Sequence, residues 1–218
     1  MELTGRRTRL NHVIGSQVPA LVNVGLTTCW VITGIVWVAG ALYNAQRGPR
    51  AQARLRASNV WTVLVVAALA VTLNKVFPGS DSATATVRTS WVQILGLAFL
   101  VCSTVFTLWA RVALGTMWSS TPTVKIQHQL RTGGPYGVTR HPIYTGLLGM
   151  LLGSVLMVGV GPWLVAFVVY LVFIEIRIHF EEKLMLETFP EAYSRYRRAV
   201  PQLVPGLRRL HRSRPAHT

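Results

Sequence analysis

Apolar runs long enough to cross a bilayer recur along this chain, and they constrain its fold more than any other feature. A helix rises about 1.5 Å per residue, so roughly 20 apolar residues span the hydrocarbon core. Residues 18–43 form the first such run. Its polar members are small or aromatic apart from Asn23, and it holds no formal charge. Residues 60–77 form the second, with Asn74 and Lys75 near its end, where a lysine can snorkel to the interface. Residues 91–114 form the third, with Arg111 in the last turn, and residues 143–160 the fourth. The fifth is 163–176. Inside lipid the backbone must satisfy its own hydrogen bonds, so runs of this length are read as helices. The expected class is an all-α polytopic membrane protein of about five transmembrane helices. The first run is too long, and too far from the start, to read as a cleaved signal peptide.

The break at 159–162 is too short for anything but a tight turn, which Gly159, Gly161 and Pro162 suit. The fourth and fifth runs must therefore form an antiparallel hairpin. The charge is one-sided: 22 Lys and Arg against 7 Asp and Glu give +15, and only 13% of residues are charged. So basic a chain suits either nucleic acid or a membrane, and the distribution chooses the membrane. Arg47, Arg50, Arg54 and Arg56 lie in the first loop, and Lys125, Arg131 and Arg140 in the third. Seven arginines follow residue 194. Five spans put these segments on one side, which should be cytoplasmic. Arg6, Arg7 and Arg9 would then lie outside, against the trend. Anionic membrane lipids account for the charge, and no nucleic-acid partner is needed. Cys29 and Cys102 sit inside apolar runs with no Cys/His cluster, so they read as small apolar residues and no metal site is expected.

Gly146, Gly149 and Gly153 share one face of the fourth run. Bare glycine there admits either another helix or a ligand. After the fifth run the pattern turns polar but stays helical through Glu181–Glu187. Thr188 and Glu191 then read as a capping box opening a short helix over 189–199, with Tyr193 and Tyr196 on one face. Pro201 and Pro205 stop it, and a disordered basic tail is expected from 208 to 218.

Two polar clusters flank the hairpin, and the hairpin brings them together. One runs from Leu130 to Gly146 and contains Arg140, His141, Pro142 and Tyr144; the other is Glu175-Ile-Arg-Ile-His-Phe-Glu-Glu-Lys183. Three of the seven acids fall in it, which solubility alone does not explain. Arg177 and Glu181 are four apart and therefore neighbours, while Glu175, His179 and Glu182 fall on another face. Acids beside a bilayer should face a partner or a water-filled cavity. A purely structural role, with Arg140 and His141 neutralising Glu181 and Glu182, stands equally open.

The ordered set Arg140-His141-Pro142-Ile143-Tyr144-x-Gly146, followed by Glu181-Glu182, resembles the signature of the isoprenylcysteine carboxyl methyltransferases and the related phospholipid N-methyltransferases. Gly134-Pro135-Tyr136 upstream and Leu184, Phe189, Tyr193, Tyr196, Val200, Pro201 and Pro205 downstream extend the likeness to about 122–207. Pro190 departs from the glycine usual after the phenylalanine, and Gln202 stands where a basic residue is common.

The resemblance implies an enzyme of class 2.1.1 that uses S-adenosylmethionine. It assigns the cofactor to His128, Gln129, Leu130, Arg131, Tyr136, Arg140, His141, Pro142, Ile143, Tyr144, Glu181 and Glu182. It assigns the substrate to Arg177, and the chemistry to Arg177, Glu181 and His141. It further implies an N-terminal transmembrane part over 1–114, a catalytic module over 115–207, and a lipophilic substrate entering from the bilayer. The residue types fit. Glu181 can pair with the cofactor's ammonium, and His141 or a backbone N–H with its carboxylate. Tyr136 or Tyr144 can face adenine or the sulfonium. A carboxylate acceptor is already ionised at neutral pH and needs no general base, and Arg177 can orient it. An amine would have to lose a proton and would be repelled by Arg177. The alternatives are methylation of a lipid amine or small thiol, a sterol-reductase-like enzyme with a nicotinamide cofactor, and a non-catalytic protein that keeps the motif for structure.

Overall fold

The structure, a computed structural model, describes residues 2–47, 51–54, 90–115, 123–125, 130–159 and 162–206. In order these form α1 (Glu2–Arg47), β1 (Ala51–Arg54), α2 (Ser90–Leu114), β2 (Thr123–Lys125), α3 (Pro135–Val138), α4 (Pro142–Val158), α5 (Pro162–Thr188) and α6 (Pro190–Ala199). The fold is all-α apart from one short ribbon, in which β1 and β2 pair antiparallel with Arg54 opposite Thr123. Strands this short leave no alternation in the sequence, so the ribbon was not legible there.

Among the described residues three helical stretches are long and apolar enough to cross a membrane: Ala20–Asn44, Ser90–Leu114 and Trp163–Thr188. They correspond to the first, third and fifth expected runs. The fourth run is a shorter apolar helix, α4, of 17 residues. The second, 60–77, lies outside the described residues, as do the basic tail 208–218 and Arg50 and Arg56 of the first loop.

Proline punctuates the C-terminal half. Pro135, Pro142, Pro162 and Pro190 each open a helix, where the missing N–H costs nothing and the ring presets φ. Gly159 closes α4 at φ 115°, a conformation that favours glycine, and α5 begins at Pro162. The expected capping box is corrected. Thr188 is still inside α5, its hydroxyl donating to Leu184 O at 2.7 Å, and Phe189 is the cap of α6 without a side-chain bond. Pro190 at the first helical position does the work assigned to Thr188. Tyr193 and Tyr196 do share a buried face, their rings edge-to-face at 5.9 Å.

The interior shows the polarity expected of helices in lipid. Large apolar side chains such as Val24, Ile35, Trp91, Val105 and Val172 point outward, while Thr33, Ser103, Thr104, Thr107 and Ser154 are buried. Four of these hydroxyls donate to carbonyls one turn back in their own helices: Thr33 to Cys29, Thr104 to Leu100, Thr107 to Ser103 and Ser154 to Met150. Cys29 is buried as expected, but Cys102 faces outward from α2.

The glycine face of α4 is a packing surface. A Cβ on Gly146 would meet Thr107, one on Gly149 would meet Ser103, and one on Gly153 would stand 2.9 Å from Leu100 N of α2. Gly96 of α2 reciprocates, with a Cβ there 3.0 Å from Gly153 O. Of the two readings open for these glycines, close helix approach is therefore the one realised. α1 closes the other side. Trp30 Nε1 donates to Ser154 Oγ at 3.2 Å, and Val22 and Cys29 join Leu100, Met150 and Met157 in the core.

Candidate active site

The hairpin brings the first turn of α4 against the last third of α5, as the short break required. Two neighbouring charged groups result. In the first, Tyr144 OH donates to Glu181 Oε1 at 2.6 Å, and Arg177 Nε donates to the same oxygen at 2.9 Å and to Tyr144 OH at 2.6 Å. Arg177 also lies over the Tyr144 ring, its Cζ 5.8 Å from the centroid. The four-residue spacing of Arg177 and Glu181 predicted their contact, and the hairpin supplies Tyr144.

In the second group, Arg140 grips Glu182 Oε1 through Nε at 2.8 Å and Nη2 at 2.7 Å. Arg197 of α6 reaches Glu182 Oε2 at 3.3 Å. His141 stands between the groups, Nε2 3.3 Å from Glu182 Oε1 and Nδ1 3.7 Å from Glu181 Oε2, its ring stacked on Tyr144. The two adjacent glutamates differ in access. The Glu182 side chain is 8% exposed and that of Glu181 21%.

The chain after α6 runs back across the start of α4. Arg140 N donates to Pro201 O at 2.8 Å and His141 N to Gln202 O at 3.2 Å. Arg140 Nη1 donates to Val200 O at 2.6 Å and to Arg197 O at 3.1 Å, and Thr145 Oγ1 to Leu203 O at 2.7 Å. Gln202 Nε2 donates to Glu175 Oε2 at 3.0 Å. Beside this segment Tyr196 OH donates to Tyr136 O at 2.5 Å, joining α6 to α3. Burial pushes the Tyr136, Tyr193 and Tyr196 phenols above the ordinary phenol range, so all three stay neutral donors.

Of the residues singled out in the sequence, the structure brings Arg140, His141, Tyr144, Arg177, Glu181 and Glu182 together. Pro142 is buried beneath them and Ile143 half-buried. Tyr136 is buried in α3, its hydroxyl 3.5 Å from Ala110 O of α2. Leu130 and Arg131 are described, half-buried and exposed, without a hydrogen bond to this cluster among the described residues. His128 and Gln129 lie outside the described residues. The face expected to carry Glu175, His179 and Glu182 is split, with Glu182 buried and the other two exposed. Sequence reasoning missed Thr145, Arg197 and the carbonyls of 200–203. Thr145 fills the one position left blank in Arg140-His141-Pro142-Ile143-Tyr144-x-Gly146, and main-chain acceptors carry no residue signal.

Residues 91–192 match the phospholipid methyltransferase family. The match begins at the start of α2, about 30 residues before the likeness read from the sequence. Over 121 residues the chain is 32% identical to the protein-S-isoprenylcysteine O-methyltransferase B of Arabidopsis thaliana, covering 53% of this chain and 60% of that protein. Over 80 residues it is 35% identical to the protein-S-isoprenylcysteine O-methyltransferase of Schizosaccharomyces pombe, covering 36% of this chain and 34% of that one. The chain thus spans less than two thirds of either relative's length. Both support the resemblance to the isoprenylcysteine carboxyl methyltransferases.

Proposed function

We propose that this chain, whose residues 91–192 match the phospholipid methyltransferase family, is an integral-membrane methyltransferase that uses S-adenosylmethionine to methylate a carboxylate on a lipophilic acceptor. The observation that carries the reading is the Tyr144–Glu181–Arg177 constellation beside His141, built on a hairpin of apolar helices inside the matched segment. The donor set fits the cofactor. Glu181 Oε1 is fixed by Tyr144 and Arg177, while its Oε2 lies 3.7 Å from His141 Nδ1, beyond hydrogen-bond reach, and keeps acceptor capacity for an ammonium. His141 supplies a further polar contact beside Glu181.

When bound, the cofactor supplies an electrophilic methyl group on a sulfonium. The chain's own task is to hold the reactants in line and exclude water. A carboxylate acceptor is ionised at neutral pH, so no residue has to remove a proton, and the guanidinium of Arg177 orients it. The acceptor reaches Arg177 along α5 from the bilayer. The excess of Lys and Arg on the loops and tail supports a cytoplasmic C-terminus and active site, with membrane lipids as neighbours and no nucleic acid.

A second reading, methylation of a lipid amine, draws support from the family description itself. Arg177 separates the two. Arg177→Gln should abolish recognition of a carboxylate acceptor, whereas an amine acceptor would gain from losing the positive charge. The cofactor reading is tested by calorimetry with S-adenosylhomocysteine in detergent. The wild type should bind, and Glu181→Ala and His141→Ala should each bind about tenfold more weakly or worse. No binding by the wild type, or equal binding by the variants, refutes it.

A further inference from the structure

The resemblance treats Arg140 and Glu182 as cofactor contacts, but their surroundings say otherwise. Glu182 is enclosed by cations: Oε1 accepts from Arg140 Nε and lies 2.7 Å from Arg140 Nη2 and 3.3 Å from His141 Nε2, and Oε2 lies 3.3 Å from Arg197 Nε. A carboxylate has about four lone-pair sites. Arg140 is equally committed. The nitrogens not used on Glu182 reduce to Nη1, and that one serves the carbonyls of Val200 and Arg197. The two side chains are 7% and 8% exposed.

We propose that Arg140 and Glu182 are positioning residues. Together they latch the segment 200–203 onto the first turn of α4, and the latched segment fixes His141 beside Glu181. Of the adjacent glutamates, Glu181 alone meets the cofactor. The main chain makes the coupling direct: the amides of Arg140 and His141 donate to Pro201 O and Gln202 O, and Thr145 ties the far end of the segment at Leu203 O. Releasing the segment removes the partner of the His141 amide, and losing Glu182 frees the ring. Thr145, which has no place in the charged cluster, should therefore influence it.

The inference rests on the cofactor reading above only for its binding arm. That arm uses calorimetry with S-adenosylhomocysteine on the full chain in detergent; the other uses hydrogen exchange at the Arg140 and His141 amides without any ligand. Arg140→Gln and Thr145→Val should each speed exchange at these amides and weaken binding about tenfold. Because both act through one segment, the double variant should be no weaker than the worse single. Thr145→Ser, which keeps the hydroxyl, should restore both readouts. Glu181→Gln should weaken binding with exchange unchanged. Weakened binding by Arg140→Gln with unchanged exchange would make it a direct cofactor ligand and overturn the proposal, as would additive losses in the double variant. Should Arg140→Gln lose its helical dichroism, Glu182→Gln, which keeps shape and one acceptor, replaces it. Were the wild type not to bind, the methyltransferase reading would fail, and exchange alone would decide the latch: faster in Glu182→Gln supports it, unchanged overturns it.

Discussion

Replacing Gly153 by alanine is expected to disturb the α2–α4 seam more than the same change at Gly149. The new Cβ would stand 2.9 Å from Leu100 N, 3.0 Å from Leu100 Cα and 3.0 Å from Gly96 O. All three are main-chain atoms of α2, so no rotamer change relieves the contact and the helices must part by several tenths of an ångström. At Gly149 the first obstacle is the Ser103 hydroxyl, which can turn to another staggered position, leaving the Ser103 Cβ at 3.0 Å and no main-chain atom among the three nearest. At Gly34 of α1 nothing among the described residues lies within 4 Å. Overpacking costs about 1–3 kcal/mol. Gly153→Ala belongs at the upper end, about 3 kcal/mol, and Gly149→Ala near 1 kcal/mol. Gly34→Ala should be neutral or gain up to about 1 kcal/mol from helix propensity. The assay is reversible unfolding by sodium dodecyl sulfate in mixed micelles, followed by helical circular dichroism. A Gly153→Ala protein as stable as wild type, or more stable than Gly149→Ala, would refute the backbone-contact argument.

In the same titration Glu182→Gln should cost about 3 kcal/mol, since it leaves the buried charge of Arg140 facing a neutral amide. Glu181→Gln, more open and paired with a partly exposed arginine, should cost about 1 kcal/mol or less; equal losses would contradict the division between the glutamates. Tyr144→Phe removes the donor to Glu181 and the acceptor of Arg177. It should weaken S-adenosylhomocysteine binding about tenfold while leaving the unfolding midpoint within about 1 kcal/mol, and unchanged affinity would take Tyr144 out of the site.

How much of this was legible in the sequence follows from what each signal measures. Apolar length marks helices well, so α2 and α5 were found with their bounds nearly right; of α1 it found only the apolar part, and the polar turns from Glu2 onward were missed. It measures hydrophobicity and not packing, so it gave α4 the same rank as the others although α4 is the short helix held by glycines. The Arg177–Glu181 contact was legible because helical periodicity fixes it. Tyr144 joined them through the antiparallel turn, also legible at Gly159–Pro162. The partition of the glutamates was not, because it depends on where the carbonyls of 200–203 fall after α6 turns back. Main-chain acceptors are the same for every residue type, so Thr145 and Arg197 had no visible reason to matter. The misplaced cap at Thr188 has a similar origin: threonine before a glutamate marks a helix start only when the backbone has already left the preceding helix, and here Leu184 O keeps it in.

The shared use of Glu181 by Tyr144 and Arg177 has a thermodynamic consequence under the proposed function. One carboxylate oxygen carries both donors. An ammonium arriving at the same carboxylate competes with Arg177 for its negative charge, and the hold of Glu181 on the guanidinium weakens. Arg177 then becomes the better partner for an acceptor carboxylate, so cofactor and acceptor should favour each other's binding. Linkage makes the effect reciprocal, and a typical coupling corresponds to about fivefold or more in affinity. S-adenosylhomocysteine retains the ammonium but has no methyl to transfer, so the coupling is measurable without turnover. The affinity for an N-acetylated prenylcysteine should rise about fivefold in its presence, and the enhancement should vanish in Arg177→Gln. Equal affinity with and without S-adenosylhomocysteine, or an enhancement that persists in Arg177→Gln, would show that Glu181 does not pass the cofactor's charge on to the acceptor site.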